Sequence, residues 1–254
     1  MYRHFRQITS ALAAAQIFTF LCIGVTFATG NETNDSFAKA KKMLERQVYF
    51  DNRVTIYCGY PFDEEKNIDL PDGFMTKKHQ KRANKMEWEH AVPAENFGQA
   101  FSEWRDGHPK CVSKGKSFKG RKCAEKVNIQ YRHMQADMYN LFPAVGSVNG
   151  VRANKRYSEL PSAKVAFGTC EAKVDGSRFE PPARAKGQVA RAALYMADSY
   201  DEYRLSRQQE QLFNAWNKMY PVDQWECTRA KRIEKLQGNE NRFVKEPCQQ
   251  AGLW

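Results

Sequence analysis

Six cysteines downstream of an N-terminal apolar run constrain this chain more than any other feature: Cys58, Cys111, Cys123, Cys170, Cys227 and Cys248. The run itself, Ile8 to Ala28, follows a short basic segment, Tyr2 to Arg6, and holds no acidic residue. Small residues recur at Thr26-Phe27-Ala28 and Ala28-Thr29-Gly30. This is the pattern of a secretory signal peptide over residues 1–28. Polar interruptions at Thr9, Ser10, Gln16 and Thr19 argue against a retained membrane anchor, and Leu21 before Cys22 argues against a lipid-modified cysteine. Export places the mature chain in an oxidising compartment, where an even number of cysteines reads as a disulfide framework. Six cysteines allow 15 pairings, and sequence alone does not choose among them. Cys111–Cys123 is a sensible local pair that closes a basic loop. Cys227–Cys248 would pin the tail to the last helix, and Cys58–Cys170 is what remains. Without a CxxC or paired Cys/His spacing, a structural zinc site is not expected.

Removing residues 1–28 takes away Arg3 and Arg6 and no acid, which lowers the formal charge from +11 to +9. So basic a soluble chain suits a polyanionic partner, with nucleic acid, acidic polysaccharide and membrane surface as the classes to weigh. Residues 29–254 are long enough for one domain and show no repeat or low-complexity segment. Two Asn-x-Thr/Ser sequons, at Asn31 and Asn34, lie in a polar segment expected to be loose.

The periodicities predict a mixed α+β chain. Ser36 caps a helix with Phe37, Ala40, Leu44 and Val48 on one side. The β-branched and aromatic stretch "VTIYCGY", residues 54–60, reads as a strand. "KMEWEHAV" reads as a strand with Met86, Trp88 and His90 on one side and Glu87 and Glu89 on the other. Helical spacing recurs over 95–105, 125–141 and 183–204, and a strand pair is expected within 164–179. Ser147 is expected to cap a short helix carrying Asn149, Asn154 and Tyr157. Ser206 with Gln209 forms a capping box, and Pro221 and Asp223 open a helix that Gly238 closes. "QGNENRF" reads as a packing and capping element.

The chemistry concentrates at "NKMEWEHAVPAENF", Asn84 to Phe97, where Glu87, Glu89 and His90 stand within four positions. Basic residues crowd on both sides, among them Lys77, Lys78, Lys81, Arg82 and Lys85 upstream and Lys119, Arg121 and Lys122 downstream. Such a spread suits a phosphate backbone. Breaking a phosphodiester needs a base to activate water, a cation to neutralise developing charge and a positive group to hold the phosphate. Histidine, oxygen ligands for Mg²⁺ and arginine supply these three. Neighbours on a strand face opposite ways, so Glu89 and His90 can share a site only where the strand ends or bends, which Pro93 permits. Glu87 reads as a solvated or arginine-paired acid, Asn140 and Asn154 as structural, and His108 and His133 as bystanders.

In order along the chain, "EWEHAVPAENFG", "GRKC", "ADMYNLFPAVGSVNGVRANKRY", "PPARAKGQVARAALYMADSY" and "AWNKMYPVDQWECTRAKRIEKLQGNENRFV" follow the signal peptide. Together they resemble the bacterial endonuclease I family, periplasmic or secreted nucleases of the ββα-metal, or His-Me finger, group. The resemblance runs from about residue 36 to about residue 248. It implies a ββα-metal core over roughly residues 86–156, wrapped by further helices and stabilised by disulfides. It implies His90 as general base, Glu89 and Asn149 (of "GSVNG") as ligands of one Mg²⁺, and Arg121 as the contact to the scissile phosphate. Mn²⁺ or Ca²⁺ would substitute in binding. The expected substrates are double- and single-stranded DNA, and RNA, cut without sequence preference to 5′-phosphate ends. Lys81, Arg82, Lys85, Lys119 and Lys122 would hold the backbone, and the mature chain would be a monomer free of the membrane. The competing reading is a non-catalytic secreted DNA-binding or uptake protein, which would need neither Glu89–His90 nor Asn149. One departure stands out: Tyr60 occupies the position where the family often carries a second cysteine.

Overall fold

Ser36 accepts a hydrogen bond from the Lys39 backbone N–H at 3.2 Å and opens α1, Phe37–Met43, which runs on through a π turn, Leu44–Val48. Ala40, Leu44 and Val48 are fully buried on its inner side, as their spacing predicts. The computed structural model describes Met1 and residues 29–254, so the expected signal peptide over 1–28 lies, Met1 apart, outside the described residues. The segment before α1 is not loose. Asn31 and Asn34 are buried, and the Asn31 amide donates to the carbonyls of Asn34 and His133 at 2.6 and 2.8 Å. Neither sequon side chain is open to modification in the folded chain.

Residues 54–60 form no strand. Val54 makes an isolated bridge to Pro61, and Ile56 to Cys58 turn sharply instead. The turn is set by distant partners. The Ile56 N–H donates to the Pro143 carbonyl at 2.7 Å, and Cys58 is bonded to Cys170. Strand propensity loses to these tertiary constraints. Strand β1, Met86–His90, follows, then α2, Ala94–Gly98, and α3, Ser102–Arg105. One helix was expected over 95–105, but an extended Phe101 divides it. A small hairpin, β2 (Val112–Ser113) with β3 (Lys116–Ser117), occupies the basic loop that Cys111–Cys123 closes. The stretch 125–141 is likewise broken, into α4 (Arg121–Val127), α5 (Ile129–Gln135) and a 3₁₀ turn at Met138–Asn140. Asn128 and Asp137 cause the breaks, since their side chains cap the next element by accepting from the N–H of Tyr131 and Tyr139.

Strand β4, Leu141–Val145, pairs antiparallel with β1 in the register Met86↔Val145 to His90↔Leu141 and leads directly into α6, Gly146–Arg152. Ser147 does not cap α6. It is buried inside the first turn, while Asn154 and Tyr157 fall beyond the helix. A second sheet holds β5 (Arg156–Tyr157), β6 (Val165–Phe167), β7 (Cys170–Asp175) and β8 (Arg178–Glu180) in the order β5-β8-β7-β6. The expected strand pair is thus three strands joined by a fourth.

Four helices complete the chain: α7 (Ala183–Ser199), α8 (Arg207–Met219), α9 (Gln224–Gln237) and α10 (Arg242–Gln250). The first ends at Ser199, short of 204. The Ser206 hydroxyl accepts from the Gln209 N–H, but the Gln209 side chain donates to the Tyr157 carbonyl, so only half of the capping box forms. Asp223 and Gly238 cap α9, and Asn241 caps α10. These helices brace β4. Arg229 on α9 donates to the carbonyls of Met138 and Leu141 at 2.8 and 2.9 Å, and the buried Arg191–Glu226 pair ties α9 to α7. No helix among the described residues is long and apolar enough to cross a membrane.

All three expected disulfides are formed. Near Cys170, the Tyr60 hydroxyl hydrogen bonds the Thr169 hydroxyl at 2.7 Å, so the position without a cysteine is still tied to the residue that precedes β7. The cross-links span very different lengths, 112 residues for Cys58–Cys170 and 12 for Cys111–Cys123. Restricting the unfolded chain stabilises more for a longer loop. Replacing Cys58 and Cys170 together by alanine is expected to lower the unfolding free energy by about 5 kcal/mol, against about 3 kcal/mol for Cys111 and Cys123. Guanidinium unfolding of the two double variants measures this, and equal losses would contradict it.

Candidate active site

Where β1 ends, the chain bends and Pro93 starts α2. The bend resolves the strand-geometry problem, because Glu89 and His90 both line one cleft of 400 Å³. Asn149 and Arg152 of α6, Arg121 at the start of α4 and Phe37 of α1 line it too. All four residues expected at the site, His90, Glu89, Asn149 and Arg121, are therefore brought together.

His90 is buried, with its ring 5.0 Å from that of Phe37 and 6.3 Å from that of Phe97. Its Nε2 lies 2.9 Å from the Gln135 carbonyl oxygen. A carbonyl only accepts, so Nε2 carries the proton and Nδ1 keeps its lone pair. Burial, reinforced by the Arg121 guanidinium, pushes the imidazole down to about 3, against the pull of the Gln135 carbonyl. The ring is a neutral base near neutral pH.

Glu89 is 4 % exposed. Its Oε1 accepts from the Tyr57 hydroxyl at 2.9 Å and lies 3.0 Å from Arg152 Nη1. Burial pushes the carboxyl upward while Arg152 and Tyr57 pull the other way. Both polar partners take Oε1, and Oε2 makes no hydrogen bond among the described residues. Arg152 does more than neutralise. Its Nη1 also donates to the His90 carbonyl at 2.8 Å, its Nη2 donates to the Ala91 carbonyl, and its guanidinium sits 4.5 Å from the centre of the Tyr157 ring. One buried arginine thus holds both the carboxylate and the backbone bend that aims it.

Asn149 is fixed from the other side. Its Nδ2 donates to Glu87 Oε2 at 2.9 Å, and Arg82 Nε donates to Glu87 Oε1 at 2.7 Å, with Nη2 on the other oxygen. The two glycines of "GSVNG" make room for this chain of contacts. A Cβ on Gly146 would lie 2.8 Å from the Glu87 carboxylate, and one on Gly150 would lie 2.6 Å from Arg82 Nη1. The Asn149 Oδ1 accepts nothing among the described residues. Glu89 Oε2 and Asn149 Oδ1 are thus unengaged oxygens on the walls of one cleft, a donor set that suits a hard divalent cation keeping most of its water. Among the described residues no group of three or more His, Cys, Asp and Glu side chains is placed to hold a metal. Glu95 and Asn154 also line the cleft but are engaged with each other, which leaves one carboxylate, Glu89, and one amide, Asn149, with a free oxygen.

The expected backbone-binding residues are spread more widely. Lys119 and Lys122 are exposed on either side of Arg121, itself exposed, and Lys81 is exposed in a 3₁₀ turn, Gln80–Arg82. Arg82 is engaged with Glu87, and Lys85 donates to Asn67. Asn140 clamps the backbone of Val92, and Asn154 donates to Glu95. His108 and His133 lie outside the cleft lining. Sequence reasoning missed Arg152, Tyr57 and Gln135. Arg152 stands three residues after Asn149 on one helix, but nothing local marks it as buried, since its partners lie about 60 residues away. Tyr57 and Gln135 likewise act on residues 32 and 45 positions away. Removing one partner of a buried ion pair leaves the other charge unpaired at a cost of about 3–5 kcal/mol. Arg152→Met is expected to lose that much stability by urea unfolding, and a loss below about 1 kcal/mol would show that Arg152 does not clamp the site.

Residues 33–248 match the Endonuclease I family. An extracellular deoxyribonuclease of Aeromonas hydrophila is 41% identical over 221 residues, 84% of this chain and 91% of that protein. A periplasmic deoxyribonuclease of the same species is 37% identical over 239 residues, covering 90% and 95% of the two chains. Endonuclease-1 of Buchnera aphidicola from Acyrthosiphon pisum is 34% identical over 223 residues, covering 85% and 83%. With a family match over most of its length and relatives of this identity and coverage, the chain belongs to the Endonuclease I family.

Proposed function

We propose that this protein is a secreted or periplasmic, divalent-metal-dependent endonuclease that hydrolyses DNA, and RNA, without sequence preference. The observation that carries this is the pairing of a neutral His90, its Nδ1 free, with two unengaged oxygens, Glu89 Oε2 and Asn149 Oδ1, in one cleft. In this reading β1, β4 and α6 are the ββα-metal core, residues 29–254 form a single monomeric domain, and the leader ends at residue 28. Backbone contacts from lysine and arginine carry no base information, hence the lack of sequence preference.

His90 Nδ1 takes a proton from water, whose oxygen attacks phosphorus. The new P–O bond forms as the bond to the 3′ oxygen breaks; that oxygen takes a proton from a solvent water to become the 3′-hydroxyl, the other product carries the 5′-phosphate, and the His90 imidazolium returns its proton to solvent. Arg121 holds the non-bridging oxygens. Bound to Glu89 and Asn149, Mg²⁺ would supply positive charge for the phosphate and the departing oxygen. Gln135 keeps the imidazole in the right tautomer, and Arg152 and Tyr57 keep Glu89 in place.

Plasmid nicking tests this directly. Wild type with Mg²⁺ is expected to nick and then degrade DNA, wild type with EDTA to do neither, and His90→Ala to lose about 10²–10⁴-fold in rate while still binding DNA. Wild type that binds DNA but cuts in no divalent metal would restore the binding-protein reading.

Glu87 adds a second expectation. A carboxylate only accepts, so it holds the NH₂ end of Asn149 and leaves Oδ1 for the metal. Glu87→Gln is expected to weaken Mn²⁺ binding, read by electron paramagnetic resonance, about 10–100-fold. Asn149→Asp alone sets two carboxylates against each other, whereas Asn149→Asp with Glu87→Gln is expected to regain binding. No recovery in the double variant would overturn the positioning role.

A further inference from the structure

Beyond the catalytic cleft, α6 has a second concave flank. Residues 75–80, the end of α6 and the β6–β7 edge of the larger sheet enclose a groove of 1240 Å³. Its walls are anchored. At one end Phe74 bridges to Gly168, the Met75 N–H donates to the Phe167 carbonyl at 3.3 Å, and the Phe74 and Phe167 rings stack with centroids 6.5 Å apart. At the other end His79 and Arg82 pack against Gly150 of α6.

Four lysines line this groove: Lys77 and Lys78 on the loop, Lys155 after α6 and Lys164 before β6. The one acid among the lining residues, Asp175, is already engaged with Arg178. None of the four lysines has an ion-pair partner among the described residues. Between them the groove exposes two large apolar side chains, Met75 at 65% and Val165 at 44%. Unpaired cations interleaved with apolar surface match the charge of a phosphate backbone and the apolar faces of its sugars.

Position decides what the occupant is attached to. Asn149 and Arg152 face the catalytic cleft, while Gly150, Val151 and Lys155 line the groove, so α6 is the ridge between the two. A helix is about 10 Å across with its side chains, and B-DNA advances about 3.4 Å per phosphate on each strand. We infer that the groove is a second phosphate-backbone site, holding the flank of the same duplex about three base pairs from the bond being cut. This rests on the nuclease reading and extends it: affinity is divided between the cleft and a separate site whose residues take no part in the chemistry.

The test is fluorescence anisotropy of a labelled 30-base-pair duplex in EDTA, as a function of NaCl. The variant Lys77→Gln/Lys78→Gln/Lys155→Gln/Lys164→Gln is compared with wild type and with a control that removes lysines from α8 and α9, Lys218→Gln/Lys231→Gln/Lys235→Gln. Each phosphate contact contributes about 0.9 to the slope of log K against log salt. The groove variant is expected to lose about three to four units of slope and at least about tenfold in affinity at 100 mM salt. The control is expected to keep the wild-type slope. Lys164→Glu alone, with an unchanged melting temperature, is expected to lose about one unit of slope or more, which guards against misfolding of the fourfold variant. A groove variant with wild-type slope and affinity, or a control that loses as much per charge, overturns the groove. If wild type neither binds nor cuts DNA, the nuclease reading itself falls and takes the groove with it; if wild type cuts and the groove variant is unaffected, only the groove falls.

Discussion

The buried ion pair between Arg152 and Glu89 is the contact on which the candidate site depends. A carboxylate with 4 % exposure is not stable alone, and the low dielectric that makes it costly also makes a well-placed guanidinium effective. Arg152 meets that need and also donates to the carbonyls of His90 and Ala91. Stability and aim are therefore one interaction. The same side chain that lets a charge stay buried fixes the bend where two strand neighbours turn toward one cleft.

Around that pair the molecule is arranged as successive supports. Tyr57 reaches Glu89 from a turn that a disulfide and the Pro143 carbonyl hold in place. Glu87 and Arg82 set the orientation of Asn149 from outside the cleft. Phe37 and Phe97 pack against the His90 ring, so α1 completes the pocket around that imidazole. Glu89, His90 and Asn149 thus have neighbours that leave each little freedom, a form of preorganisation that suits a reaction whose barrier is mostly electrostatic.

What was legible in the sequence follows from how local each cause is. Caps at Ser36, Ser206, Asp223 and Gly238 were readable because the partner N–H or C=O lies within one turn. The cleft residues His90, Glu89 and Asn149 were readable because they sit in long, specific motifs, while Arg121 rested on the short segment "GRKC" alone. Tyr57 was not, since its stretch has every local mark of a strand and is bent by contacts more than 80 residues away, at Pro143 and Cys170. Arg152 was not, because a charged residue at a helix end is ordinarily solvated, and only the carboxylate and two carbonyls facing it make burial tolerable. Helix breaks at Asn128 and Asp137 were hidden by hydrophobic spacing that continues across them.

The brace that Arg229 places on β4 has a bearing on how such a protein is made. Arg229 lies 91 and 88 residues after Met138 and Leu141, yet it holds their carbonyls at the start of β4, the strand paired with the one that carries His90. A ribosome will have released β1 and β4 well before that residue can dock. The β1–β4 pair is laid down early and secured late, so a partly synthesised copy carries the candidate site without the frame that holds it.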